Sequence, residues 1–351
     1  MGARRRPHNE PGLSCVLPPV DRLKFPTDAG DLALEVFARS FFADPEDFAA
    51  GELVAMFHTY FLGSAEGLVF DVPDDDYDRV FWAPLGRLLA DNGVDVRLSS
   101  PVRSVEVTGD RATLTLDDGV LTADAVVVAT DPRAARLLAA STTSAPLDAW
   151  RASVARTHNA PPFVVVRLWL DRAVAADRPP FLGTSGYGPL DNVSVLERFE
   201  RGAARWSSEH DGASVVELHA YACDPTAVST RASLDGVVAE LVAQLHRVFP
   251  ETTGFGILER EVLAKDDCTV IGPSGWNERP GVRTPSPALV LAGDWVACDL
   301  PVALMERAAT TGFLAANTLL NRWGVQGQDV WTTPMSGLLA SPTQRTWTAL
   351  P

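Results

Sequence analysis

The chain is 351 residues long, which is enough to bury a large core and is typical of two domains. A hydrophobic fraction of 46% with 21% charged residues is ordinary for a globular protein. The formal net charge of −15 argues against a nucleic-acid partner, because a surface that neutralises phosphates would be basic. The sequence has no run of about 18 apolar residues and no apolar segment behind its basic start, so it predicts neither a transmembrane helix nor a secretory signal.

The sequence does not indicate metal or hydrolytic chemistry. Its cysteines have neither CxxC nor Cys/His spacing, and we expect free thiols in a reducing cytoplasm at Cys15, Cys223, Cys268 and Cys298. Three consecutive acids at 74–76 fit either a metal site or a solvated turn, and the turn is the favoured interpretation. No HExxH motif or Ser/His/Asp order indicates a hydrolase. His58 and His219 lie in apolar patterns, which favour core or cavity-lining positions over catalysis.

The first predicted elements are mostly helical. Apolar residues at helical spacing predict a helix across 41–61 that begins at Asp44-Pro45. The next segment, 63–85, is rich in turn residues and should lie across a surface or a cavity mouth. A short helix at 85–91 is expected to end at a glycine cap. Three strand candidates follow at 94–98, 102–108 and 112–116.

The middle of the chain predicts two different sheets. A hairpin turn is expected at 117–119, followed by a largely apolar run at 123–130. Short apolar runs of this kind are typical of buried parallel strands, and a helix should follow at 132–138. The segments 163–170 and 214–221 are longer and are expected to belong to a second sheet. The remaining predicted elements are a helix at 234–249 stopped by Pro250, an extended segment at 277–287, a strand at 289–292 and an irregular tail at 324–351.

The most informative segment is 288–317, ALVLAGDWVACDLPVALMERAATTGFLAAN. Its apolar strand ends at Gly293-Asp294, and a helix of small residues begins about a dozen residues later. A strand carboxyl end followed by a helix N-terminus is where α/β folds bind nucleotides and phosphates. Glycine permits close approach of a ligand, and the carboxylate can accept hydrogen bonds from ribose or ribityl hydroxyls. Asp294 could equally be a loop acid, and Glu306 an acid stabilised by the helix dipole.

The order strand–GD–loop–MExAxxTGxxAA resembles the C-terminal flavin-contacting motif of the flavin amine oxidase and carotenoid desaturase superfamily. GVDVRLSSPVRSVEV at 93–107 and ADAVVVATDP at 123–132 are similar to the second flavin-domain portion of these proteins. The resemblance covers roughly 25–339. Within the superfamily, RPGVRTPSPALVLAGD with DLPVALMERAATTGFLAAN is most similar to the isorenieratene synthases, which are bacterial β-carotene desaturase/methylases.

The resemblance implies FAD as the cofactor and no metal. Carried over motif by motif, the implied contacts are Val102, Ala129, Thr130, Gly293, Asp294, Met305, Glu306 and Thr311. Val102 would lie against adenine, Asp294 would bind ribityl or pyrophosphate-side hydroxyls, and the first turn of the last helix would face the flavin ring. No catalytic side chain is assigned, since the flavin carries the redox step.

One superfamily feature is missing from the sequence. The superfamily opens with strand–GxGxxG–helix, which holds the ADP half of FAD, and nothing here matches it. The expected fold is therefore α/β: an FAD/NAD(P)-binding Rossmann-like domain without its first βαβ unit, interleaved with a mixed-sheet α+β substrate domain. We assign 82–140 and 277–323 to the FAD-binding domain and 26–81 and 141–276 to the substrate domain.

The leading hypothesis is an FAD-dependent carotenoid desaturase that aromatises the β-ring of β-carotene with a methyl shift. The alternatives are an amine- or porphyrinogen-oxidising relative and a non-catalytic remnant unable to hold FAD alone. We expect a lipophilic substrate and a cytoplasmic protein peripherally associated with membrane through apolar faces of 41–61. A separate N-terminal polypeptide carrying GxGxxG is a further expected partner.

Overall fold

The computed structural model describes residues 39–44, 47–59, 71–142, 145–273 and 278–332. Within these ranges the α-helices are α1 Ala50–Phe57, α2 Ala83–Asp91, α3 Pro132–Ser141, α4 Asp148–Ala155, α5 Arg201–Glu209, α6 Arg231–Val248 and α7 Leu304–Arg322. The strands are β1 Val102–Thr108, β2 Arg111–Leu116, β3 Gly119–Ala123, β4 Val126–Val128, β5 His158–Asn159, β6 Phe163–Leu170, β7 Phe181–Gly183, β8 Asn192–Val195, β9 Val215–Ala220, β10 Ile257–Lys265, β11 Thr269–Val270 and β12 Leu289–Leu291.

A short parallel pair joins two distant parts of the chain. β12 runs parallel to β4, with Leu289 opposite Val126 and Leu291 opposite Val128. The expected pairing of these two apolar runs is confirmed. β12 is buried along its whole length, and side chains of β1, β2, α3, α4 and α7 pack around it in one apolar cluster. In β4, by contrast, the middle residue Val127 is 40% exposed, and within the described ranges no strand pairs with its second edge.

A three-stranded antiparallel meander, β1-β2-β3, packs beside the parallel pair. β1 and β2 agree with the predicted strands. The predicted strand at 94–98 is wrong: this segment is irregular, and Val94, Val96 and Leu98 are 47%, 57% and 85% exposed. A strand needs a neighbour to satisfy its backbone groups, and none pairs with this segment in the described structure.

The second sheet has five strands in the order β10-β6-β9-β8-β7, and every pairing is antiparallel. The two strands predicted for it, β6 and β9, lie side by side at its centre. Alternate residues of β6 are fully buried, and they share one apolar cluster with α6. The sequence analysis missed β7, β8 and β10. β10 is an edge strand whose residues are mostly exposed, so it lacks the apolar pattern of a core strand.

Several helix predictions need correction. The first helix begins at Ala50 and not at Asp44-Pro45, and the residues at 39–43 that the structure describes end in a turn. The end of the segment predicted as turns is helical, because a π-helical turn at Asp78–Trp82 continues into α2. The helix α5 was not predicted. In the described part of the chain, no helix is long and apolar enough to cross a membrane.

The acidic run at 74–76 serves as a connection between segments. Asp75 is only 8% exposed, and its Oδ1 accepts a hydrogen bond from the Gly202 amide at 3.0 Å, in the first turn of α5. Asp76 accepts from the Arg79 amide at 3.0 Å. The described residues include no group of three or more potential metal ligands. Asp75 thus caps α5, while its exposed neighbours agree with the solvated-turn interpretation.

Candidate functional site

The carboxyl ends of the two parallel strands bring three of the predicted site residues together. Ala129 and Thr130 follow β4 and are exposed, and Gly293 follows β12. The Ala292 amide donates to the Val128 carbonyl at 3.0 Å, which continues the pairing up to this edge. Ligands of open α/β sheets bind at such carboxyl ends. The edge is therefore the candidate site.

A neighbouring side chain leaves no room for a side chain at Gly293. Its φ is +146°, and a Cβ at this position would lie 2.7 Å from Nε1 of Trp295. Trp295 is 1% exposed, and its Nε1 donates to the Thr130 carbonyl at 2.9 Å. The indole thus ties the ends of the two strands together. Sequence reasoning missed Trp295, although a tryptophan two residues after a strand-ending glycine was a visible signal.

Thr311 connects the strand end to the last helix. It is fully buried, and its hydroxyl accepts from the Gly293 amide at 2.9 Å and donates to the Arg307 carbonyl at 2.8 Å. The hydroxyl is therefore already used in holding α7 against β12. Thr311 would therefore act on a cofactor indirectly, by holding the Gly293 backbone in place, and not through its own hydroxyl.

The carboxylate of Asp294 is directed toward β11. Its Oδ1 accepts from the Thr269 hydroxyl at 2.7 Å. Burial raises the pKa of Asp294, while the Thr269 hydrogen bond and the charge of Arg307 oppose the rise. Asp294 therefore joins the loop after β12 to β11, which pairs with β5.

Arg307 is a functional residue that the sequence analysis missed. Its guanidinium forms a salt bridge with Glu52 on α1 at 2.7 and 3.0 Å, and the two side chains are 2% and 5% exposed. It also donates to the carbonyl oxygens of Asp294 at 2.9 Å and Val302 at 2.7 Å. One side chain thus fixes α1, the loop after β12 and the start of α7. Sequence reasoning had selected its neighbour Glu306, which is exposed.

The N-terminus of α7 is open to a ligand. Its N-cap residue, Ala303, makes no side-chain capping hydrogen bond to the amides of the first turn. Leu304 has φ +53°, an uncommon conformation for a bulky residue. Met305 is 77% exposed, and Glu306 is exposed beside it. Val102, the remaining predicted contact, begins β1 in the adjacent meander.

These features fit one half of the expected cofactor. The exposed residues Ala129 and Thr130, together with the first turn of α7, can face the ring and the ribityl chain of a flavin. The other half of FAD carries a pyrophosphate, and the sequence contains no GxGxxG turn to hold it.

Comparison with known proteins establishes the family. Residues 18–320 match the family described as flavin containing amine oxidoreductase, and the chain belongs to this family, whose cofactor is FAD. A carotenoid phi-ring synthase from Streptomyces griseus is 53% identical over 319 residues, which cover 91% of this chain and 60% of that protein. A carotenoid phi-ring synthase from Chlorobaculum tepidum is 32% identical over 278 residues, or 79% of this chain and 40% of that protein. The chain thus spans less than two thirds of either relative.

Solved structures share the fold. Cyclohexylamine oxidase from Brevibacterium oxydans superimposes with a TM-score of 0.63 at 14% identity, covering 87% of this chain and 67% of that structure. An oxidoreductase from Methanosarcina mazei gives 0.58 at 15% identity, covering 83% and 65%. The expected α/β flavoprotein fold is therefore confirmed.

Proposed function

We propose that the protein acts as an FAD-dependent carotenoid desaturase that aromatises the β-ring of β-carotene with a methyl shift. The observation that carries this proposal is the 53% identity to the Streptomyces griseus carotenoid phi-ring synthase over 91% of the chain. The Chlorobaculum tepidum relative, which has the same name, supports it. The reaction is of the isorenieratene type.

Aromatisation removes two hydrides and two protons from each ring. The quaternary carbon of the β-ring carries two methyl groups, so one methyl must move with its bonding electron pair to the neighbouring carbon before the ring can become aromatic. When bound, FAD would supply the hydride acceptor, and it must be reoxidised between the two hydride removals. The protein itself has to orient the ring, exclude water and accept protons. None of these tasks requires a nucleophilic side chain.

We assign the cofactor contacts to the carboxyl edge of the parallel pair and to α7. The contacts are Val102 against adenine, Ala129 and Thr130 at the end of β4, Gly293 and Asp294 after β12, and Met305, Glu306 and Thr311 on α7. The exposure of Ala129, Thr130, Met305 and Glu306 supports this assignment for those four residues. For Thr311, which is buried, the assigned role is to hold the Gly293 backbone in place.

We also propose that 82–140 and 277–323 form the FAD-binding domain, with 26–81 and 141–276 as the substrate domain and 324–351 as an irregular tail. The pairing of β4 with β12 supports this division, because it joins the first two of these segments in one sheet. The five-stranded sheet is built from the region between them.

We further propose that the 351 residues do not hold FAD by themselves and need a Gly-rich nucleotide-binding unit. The support is the partly exposed Val127 within an apolar strand, together with the exposed apolar side chains at 94–98. We expect the purified chain to be free of flavin and prone to aggregation. Stoichiometric FAD in the purified 351-residue protein would overturn this requirement.

The function is tested in a host that makes β-carotene. The reading frame is extended with the DNA immediately upstream of its first codon and expressed there, and the pigments are separated by chromatography. A carotenoid with an aromatic ring is the expected product. A red, linearly desaturated pigment would replace the proposal by a phytoene-type desaturase. Unchanged pigments together with bound flavin would favour an amine- or porphyrinogen-oxidising activity. Unchanged pigments without bound flavin would favour a non-catalytic remnant.

A 40-carbon hydrocarbon resides in membrane, so we propose peripheral membrane association of a cytoplasmic protein. Within the face expected for it at 41–61, Phe41 and Phe48 are 3% and 1% exposed and stack on each other at 4.8 Å, so these two residues belong to the core. Residues 60 and 61 of this face lie outside the described ranges. Tyr77, Phe81 and Trp82 are 54%, 50% and 58% exposed and are better suited to an interface, where aromatic rings are enriched. Flotation with phosphatidylcholine vesicles tests this, and Phe81→Ser with Trp82→Ser should reduce it.

A further inference from the structure

The five-stranded sheet carries a row of polar side chains on the face opposite α6. Residues opposite each other in antiparallel strands share a face. Arg167 on β6 lies opposite Glu217 on β9, and His219 lies opposite Asn192 on β8. Arg167, Glu217 and His219 are 33%, 16% and 21% exposed in their side chains. The row is therefore partly open to the space in front of the sheet.

Hydrogen bonds connect this row into one chain. Glu217 accepts from Arg167 through Oε2, at 2.7 and 2.9 Å, and its Oε1 lies 2.9 Å from Nε2 of His219. Nδ1 of His219 lies 2.7 Å from the hydroxyl of Tyr221. Asn192 donates to that hydroxyl through Nδ2 at 3.1 Å. Both nitrogens of the imidazole are thus in fixed hydrogen bonds.

The partners determine which proton each group carries. Burial by itself raises the pKa of Glu217, but the hydrogen bond with His219 and the charge of Arg167 outweigh it, and the net pKa is lowered. The carboxylate is thus ionised and can only accept, so Nε2 of His219 must carry a hydrogen. Burial, with the charges of Asp191 and Glu217, raises the pKa of Tyr221 to about 12, so its hydroxyl stays protonated. In neutral His219, Nδ1 is then an acceptor for the tyrosine hydroxyl.

This chain of groups can take up a proton without rearrangement. A proton that arrives at the Tyr221 oxygen allows the hydroxyl hydrogen to pass to Nδ1 of His219, which becomes an imidazolium. Glu217 then lies against a full positive charge and stabilises it, as a carboxylate does for a histidine that acts as a general base. Oδ1 of Asn192 is buried and has no hydrogen-bond partner among the described residues, which leaves acceptor capacity beside the tyrosine.

The Tyr221 end of the row is connected to the candidate cofactor site through intervening residues. The ring of Phe42 packs against Tyr221 at 4.8 Å and against Phe163 at 5.2 Å. Its neighbour Phe41 belongs to one apolar cluster with Leu304, at the start of α7. Independently, Thr269 beyond the end of β10 bonds Asp294 at 2.7 Å. Two separate connections therefore join this end of the sheet to the residues assigned to the flavin.

We infer that His219, reached through Tyr221 and held by Glu217, is the proton acceptor for the ring protons lost during aromatisation. The inference rests on the proposed function, since a hydrocarbon ring has no basic atom and its protons need an acceptor in the protein. The breaking C–H bond leaves its electron pair in the new ring double bond, and the proton goes to the Tyr221–His219 pair. Bound FAD, the cofactor of this family, would supply the acceptor for the accompanying hydride.

The test compares His219→Gln with His246→Gln in the upstream-extended protein loaded with FAD, using β-carotene in phosphatidylcholine vesicles and excess oxidised FAD as the final hydride acceptor. His246 is a matched control: it is also half-buried and hydrogen-bonded, to Thr252 at 2.8 Å, but it lies on α6 behind the sheet. We expect His219→Gln to reduce aromatic product roughly 100-fold or more, as for loss of a general base. His246→Gln should stay within about twofold of wild type, and both variants should keep their flavin.

Chemical rescue separates proton transfer from packing. Added imidazole should restore product formation by His219→Ala, while pyrazole, which has the same ring size but is far less basic, should not. Tyr221→Phe, which keeps the ring against Phe42, should also lose aromatic product. The inference is overturned if His219→Gln retains a third or more of the wild-type rate, or if the two additives restore His219→Ala equally. If wild type forms no aromatic product while bound to flavin, the proposed function fails instead.

Discussion

Replacing Glu52 by glutamine tests whether the buried salt bridge holds the site together. In wild type the charge of Arg307 is compensated by Glu52, and both side chains are almost fully buried. Glu52→Gln replaces the carboxylate by a neutral amide, while the guanidinium keeps its hydrogen bonds to the carbonyl oxygens of Asp294 and Val302. Breaking one side of a buried pair costs about 3–5 kcal/mol, because an uncompensated charge remains in the interior.

This cost is large enough to measure by urea unfolding. With a slope of about 3 kcal/mol per molar, a loss of 3–5 kcal/mol moves the midpoint down by roughly 1–1.7 M. Tryptophan fluorescence is a suitable signal, since Trp295 is buried at the same site. The matched control is Asp117→Asn in the pair Arg103–Asp117, whose side chains are 60% and 59% exposed. Breaking this exposed pair should leave the urea midpoint unchanged.

A double variant checks the physical explanation. Glu52→Leu with Arg307→Met removes both charges, so it should recover part of the loss. Recovery should be incomplete, because the Asp294 and Val302 carbonyls then lose their donor. If Glu52→Gln moves the midpoint no more than Asp117→Asn, the buried pair does not carry the stability assigned to it.

Three further predictions concern the same regions. Gly293→Ala should destabilise the protein by about 1–3 kcal/mol and displace Trp295, because the new Cβ would lie 2.7 Å from the indole nitrogen at a φ of +146°; an unchanged urea midpoint would contradict this. In the upstream-extended protein, Asp294→Ala should lower flavin retention by roughly 1.5–3 kcal/mol of binding if the carboxylate contacts the cofactor, whereas Thr269→Val removes one protein donor to that carboxylate and should retain more flavin. Burial raises the pKa of Asp191 to about 6 from 3.8, so its contribution to stability is present below pH 3.8 and is lost as pH rises through 6, by up to about 3 kcal/mol. Asp191→Asn should remove this pH dependence of the free energy of unfolding. Equal dependence on pH in wild type and variant would refute the prediction.

The sequence by itself determined the elements whose pattern is local. Continuous apolar runs identified β4 and β12 as partners in a parallel sheet, and alternation identified β1, β2 and β6. The strand end at Gly293-Asp294 followed by a helix of small residues located the candidate site and indicated the family. These features depend on neighbours within a few residues, so they are visible without the fold.

Sequence reasoning did not recover the features that depend on distant partners. The segment 94–98 has the composition of a strand, but a strand forms only where another strand supplies hydrogen bonds. Glu306 and Arg307 are adjacent charged residues on one helix turn, and only tertiary structure shows that the arginine points inward. Its partner Glu52 lies 255 positions away in the sequence.

Tertiary structure also decided why particular residues are present. Gly293 was interpreted as a place for a ligand to approach, and the fold adds the indole of Trp295, which leaves no room for a Cβ. His219 was interpreted as a core or cavity residue from its apolar neighbours. The fold places it between Glu217 and Tyr221 because alternate residues of β9 share one face of the sheet. A pattern of residue types indicates which face a side chain occupies, whereas its chemical role depends on the groups that other strands and helices bring to that face.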